Sequence, residues 1–209
     1  MRHPAPTPSG SAFPLPRARS NHRRHQAGTV ELAREAVEKF NALLHQLCSD
    51  APRIDADAIA SVARWLDSQP ADRRDALLQS RLGRLAELES MRADPHWPLD
   101  PAQEHRIQAL LSYVTRDDDL IPDSVPLHGR LDDALLLELA WPVFAEDVDD
   151  YLDFCRYRDE VAGRFERPVQ QSDWLLARAE EGALWEQLHR VHDQHYIEHD
   201  APAAYFRVR

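Results

Sequence analysis

Lysine is nearly absent from this chain: Lys39 stands alone against 24 arginines. A GC-rich coding bias accounts for that before any arginine-specific function does. Glycine is scarce too, with six among 209 residues, and most of the chain lacks alternating β-branched runs. Both shortages favour helices over sheet. There are two cysteines, Cys48 and Cys155, far apart and without a Cys-x-x-Cys. That argues against a disulfide framework and predicts two buried, reduced thiols on separate helices. The longest apolar run, Ala134 to Phe144, is broken by Glu138 and is far short of the roughly 20 residues that span a bilayer. The start of the chain lacks the apolar stretch of a signal peptide. A Gly-x-Ser-x-Gly, a glycine-rich phosphate loop and a dinucleotide fingerprint are all missing, so nucleophilic and nucleotide chemistry find no motif here.

Acid is abundant but unevenly placed. The net charge is −11, while residues 1–27 hold five arginines and no acid, so the remainder carries −16. Between Asp117 and Glu160, fourteen acids face three arginines. A folded part this acidic repels phosphates, so a nucleic-acid partner is not expected. With 43% hydrophobic and 29% charged residues, the composition is that of a soluble globular protein. Residues 1–27, with five prolines among the first sixteen positions, are expected to be a disordered basic tail. Residues 28–209 are expected to form a single helical domain.

Helical spacing organises that domain. Ala33, Val37, Phe40, Leu44 and Leu47 mark a first helix, broken by Pro52. Asp55 caps a second, with Ile59, Val62, Ala63 and Leu66 inward. A third follows Pro70, with Leu78, Leu82, Leu85 and Leu88 on one side. Asp100-Pro101-Ala102-Gln103 has the form of a capping box with proline at the first helical position, opening a fourth helix. A short leucine-rich fifth runs from about Asp132 to Ala140, where Pro142 bends or divides the chain. A sixth places Val148, Tyr151, Leu152 and Cys155 inward and ends by Gly163 and Pro168. Ser172-Asp173 caps a last helix reaching about His199, with Leu176, Ala179, Ala183, Leu184, Leu188 and Val191 as its buried stripe. The fold class is therefore all-α, a bundle of about seven helices.

The segment Asp119-Leu-Ile-Pro-Asp-Ser-Val-Pro-Leu-His-Gly-Arg-Leu-Asp-Asp133 is the most specific feature. Pro122 and Pro126 cannot donate backbone hydrogen bonds, and each pushes its predecessor out of the helical region. Gly129 permits a positive φ, and Asp132 or Asp133 can cap the helix that follows. The segment reads as a rigid connection between helices four and five. It resembles the core motif of the YkvA-like family, a bacterial domain with the pattern D-L-I-P-D-x-x-P-x-x-G-x-x-D-D. Asp119, Leu120, Ile121, Pro122, Asp123, Pro126, Gly129, Asp132 and Asp133 all match. The resemblance covers roughly residues 107–139, about a sixth of the chain. It implies the geometry of the loop. Members with long apolar flanks look membrane-associated; here the flanking positions hold Asp117, Asp118 and Ser124.

Three groups of residues are candidates for function. Asp119, Asp123, Asp132 and Asp133, with Asp117 and Asp118, could gather oxygens round a hard divalent cation. The simpler reading is that they bond the turn and cap a helix. His192, His195 and His199 fall within an arc of roughly 60° on the last helix. His195 and His199 could hold one Zn²⁺ or Ni²⁺ with a ligand from elsewhere, or all three could be the polar end of a core stripe. Glu146, Asp147, Asp149, Asp150 and Asp153 form an acidic face on helix six, either merely solvated or docking a basic partner. The reading that follows is a cytoplasmic, non-catalytic interaction or scaffold protein with a protein partner and no cofactor. A metal-dependent enzyme built on the aspartates or histidines is the rival. Peripheral attachment to a membrane, without a spanning segment, is the third.

Overall fold

Leucine-rich segments with few charges need cover on every side, and that requirement explains the arrangement. A computed structural model describes residue 13 and residues 26–27, 30–116, 120–122, 124–125 and 128–198, excepting the side chains of 26–27, 30 and 191–198. Among the described residues the fold is all-α with seven helices. They are α1 (Arg34–Leu47), α2 (Ala56–Asp67), α3 (Ala71–Ala93), α4 (Pro101–Val114), α5 (Leu131–Ala140), α6 (Ala145–Glu160) and α7 (Gln171–Glu198). A minimal antiparallel pair, β1 (Gln26–Ala27) with β2 (Val30–Glu31), precedes them. The chain divides into two compact units, residues 1–152 and 153–209, with the boundary inside α6.

In the first unit α5 is the centre. Every side chain from Leu131 to Leu137 is buried, Asp132 and Asp133 included. A helix apolar nearly all round is stable only when it is enclosed. α1, α3 and α4 enclose it. They contribute Phe40 and Leu44 from α1, Leu88 and Met91 from α3, and Ile107 and Leu110 from α4, all at most 1% exposed. Ile59, Val62, Ala63 and Leu66 of α2 are buried as their spacing predicts. On α3 the buried line is Leu77, Arg81, Leu82, Leu88 and Met91, whereas Leu78 and Leu85 are half-buried. Arg81 is buried because its guanidinium lies 3.3 Å from Glu138 of α5. Pro142 sits in a single 3₁₀ turn, Trp141–Val143, that separates α5 from α6. Trp97, from the loop before α4, is buried edge-on against Tyr151, with ring centroids 5.7 Å apart. The Tyr151 hydroxyl donates to the Ser90 carbonyl at 3.2 Å.

Within residues 1–27, Phe13 is buried. Phe13 is 5% exposed and meets Trp65 edge-on at 6.1 Å. The Arg81 guanidinium lies 4.6 Å from its ring centroid. One aromatic among prolines therefore has a place in the core.

The second unit is built round the start of α7. Trp174 is 2% exposed and its indole N–H donates to Asp153 at 2.9 Å. Arg167 bonds both oxygens of Asp173 at 2.7 Å, and Asp173 also accepts the Gln170 N–H, closing the first turn. The Arg167 guanidinium, with that N–H, holds the Asp173 carboxyl down at about 2. α6 ends ahead of Gly163, whose φ of 79° is the positive value recorded among the described glycines. Phe154 and Val148 of α6 are buried, Cys155 is half-buried and Leu152 is 39% exposed, which corrects the inward placement of the last two. Cys48 is likewise half-buried, and both cysteines are free thiols.

The turn before α5 and the exposed face of α7

Tyr113 ends α4 one residue before its last, and from there its hydroxyl reaches the head of α5. It donates to Asp132 Oδ2 at 2.9 Å, and the Ile121 N–H donates to the same oxygen at 3.1 Å. Asp132 thus ties together α4, the turn and α5. It is not the expected cap: Arg130 occupies the N-cap and makes no side-chain cap bond, because α5 starts one residue earlier than predicted. Burial pushes the Asp132 carboxyl up to about 6, against the bonds from Tyr113 and Ile121 that favour its charged form. Asp133, equally buried, lies 3.6 Å from the Arg130 guanidinium.

The rest of the turn is held by its own backbone and by one histidine. Val125 N–H donates to the Pro122 carbonyl, Gly129 N–H to Val125, and Leu131 N–H to His128, each at 2.9 Å. Gly129 is buried. His128, 3% exposed, brings its Nε2 to 3.0 Å from Asp67 at the end of α2. The sequence reading missed His128, which stands at a variable position of the motif. Leu120 and Ile121 are buried. Asp117, Asp118, Asp119, Asp123 and Pro126 lie outside the described residues. Tyr113 and Leu120 also line a groove of about 850 Å³ between α1 and α4, with Phe40 and Leu43 on its floor and Lys39 and Arg116 at its rim.

Among the described residues no group of three histidines, cysteines or acids could hold a metal. His199 and the side chains of His192 and His195 lie outside them. His189 is exposed, stacked on Trp185 with centroids 3.6 Å apart and its Nδ1 3.0 Å from the Trp185 carbonyl. Of the acidic face on α6, Glu146 and Asp149 are exposed, whereas Asp147 and Asp150 are half-buried. Asp153 is engaged by Trp174 and by Arg156, the latter at 2.8 Å.

α7 departs most from expectation. Of its predicted buried stripe, the side chain of Val191 lies outside the described ones and the rest is open: Leu176, Leu184 and Leu188 are 58–61% exposed, and Ala179 and Ala183 are exposed with them. Leu175 and Trp185 add 52% and 62%. At 100° per residue these five side chains spread round the helix rather than along one face, and large apolar side chains left in water in such number mark an interaction surface or an aggregation hazard. No described helix is long and apolar enough to cross a membrane. Comparison of the chain with protein-family models, curated proteins and solved structures found no match.

Proposed function

We propose that this chain is a cytoplasmic, non-catalytic helical interaction or scaffold protein, built round a YkvA-like turn. One observation carries the reading: five large apolar side chains on α7, between Leu175 and Leu188, are each more than half exposed. The turn serves this role as a staple. Asp132 and His128 spend their polar atoms on Tyr113, Ile121 and Asp67, which holds α2, α4 and α5 at fixed angles. The partner surface is read on the exposed apolar side chains of α7 rather than on the acidic face of α6, since Asp153 is committed to Trp174.

The test is affinity capture from native extract with the full chain and with Leu184→Glu/Leu188→Glu. Both leucines are exposed, so the substitutions leave the core intact. A protein recovered by the wild type in stoichiometric amount should be lost with the variant. Recovery that is identical for both chains would defeat the reading.

A further inference from the structure

Phe13 is set against two side chains that other partners hold in place. Trp65 lies on α2, which the buried Ile59, Val62, Ala63 and Leu66 fix within the first unit. The Arg81 guanidinium of α3 donates to the Leu77 carbonyl and to Ser80 Oγ, each at 3.1 Å, and lies 3.3 Å from Glu138 of α5. The hollow that receives the ring is therefore built by helices that owe their positions to other contacts. The ring meets Trp65 edge-on, with centroids 6.1 Å apart, and the guanidinium stands 4.6 Å over its face. An aromatic side chain makes both contacts better than an aliphatic one does. Only 5% of Phe13 stays exposed.

The sequence that bears Phe13 has the makings of a ligand. Pro14 follows it and biases its backbone to the extended region, so little freedom is lost when the ring docks. Residues 1–27 carry five arginines and no acid, against −16 for the remainder, and that contrast favours their encounter. β1 packs on α2, the helix that carries Trp65. The twelve residues between Phe13 and β1 can span up to about 40 Å, against a length of roughly 18 Å for α2, so the same chain can deliver the ring.

We propose that the hollow between Trp65 and Arg81 is a recognition site for a phenylalanine on a proline-rich, basic segment. Phe13 fills it in cis as an intramolecular ligand, and the same sequence supplied in trans takes its place when Phe13 is missing. A short tether gives the ring an effective concentration of the order of millimolar, which keeps the site filled in the wild type.

The full chain carrying Phe13→Ala is melted alone and with a peptide of residues 8–19 at about 2 mM, the order of that effective concentration. The peptide should raise the melting temperature of the variant by roughly 3 °C through mass action, and should move the wild type by clearly less. The same peptide with Phe13→Ala keeps both arginines and should do nothing. Phe13→Leu keeps an apolar group in the hollow and carries the same titration, with a smaller rise, if the alanine variant fails to fold. No rise in either variant, an equal rise in the wild type, or a rise with the peptide that lacks the ring would each overturn the site. A wild-type dimer that Phe13→Ala abolishes would put the ring in a second copy and overturn the filling in cis.

Discussion

Asp132 is a carboxylate placed where water cannot reach it, and its environment favours the proton. Its folded value of about 6 lies above the ordinary 3.8, so the folded chain binds that proton more tightly than the unfolded chain does. The stabilisation it brings is whole below about pH 4 and disappears as pH rises through about 6. A shift of this size corresponds to about 3 kcal/mol, at roughly 1.4 kcal/mol per unit. Asp132→Asn has no proton to lose, so urea unfolding at a series of pH values should show wild type losing stability from pH 4 to 7 relative to the variant. Parallel profiles would place the shift elsewhere. Phe13 makes a simpler case. Phe13→Ala removes a ring buried against Trp65 and Arg81 and should cost about 3 kcal/mol. An unchanged midpoint would mean that the ring carries no weight in the fold.

At the scale of elements, α3 and α5 are joined by a charge pair inside otherwise apolar packing. Glu138→Ala removes the carboxylate that lies 3.3 Å from the buried Arg81 and 3.6 Å from Arg84, and should destabilise by about 3 kcal/mol. Adding Arg81→Met should recover part of that loss, because the buried charge goes with it. Additive losses in the double mutant would show the two side chains to be independent. Elements were legible where their signals are local. The Asp55 cap and the Asp100–Gln103 box form as their spacing predicts, bonding at 2.7–3.0 Å, since every partner lies within three residues. Asp132 was misread for the complementary reason: aspartate before a helix suggests a cap, but its partners stand 11 and 19 residues away. Phe13 was lost among prolines, and the partner of Glu138 was invisible along the chain. The stripe on α7 failed differently. Periodicity shows which residues share a face, but it carries no information on whether anything within the same chain covers that face.

For the whole molecule, the excess of acid sets the response to its medium. Beyond residue 27 the chain carries −16, and like charges on a compact body repel one another. Salt screens that repulsion over a Debye length that falls to roughly 3 Å at 1 M. The melting temperature should therefore rise on going from low salt to about 0.5 M sodium chloride, measured by calorimetry. A fall would mean that attractive pairs such as Arg167–Asp173 outweigh the repulsion. Arrangement matters here as much as charge, since the helix that α1, α3 and α4 surround is the fifth to be made. A growing chain releases its amino-terminal end first, so those helices leave the ribosome with a leucine-lined vacancy and nothing to fill it. Until α5 emerges they have no fixed order of packing. A nascent chain halted before Leu131 should remain loose and in need of a chaperone, and one extended past Ala140 should close.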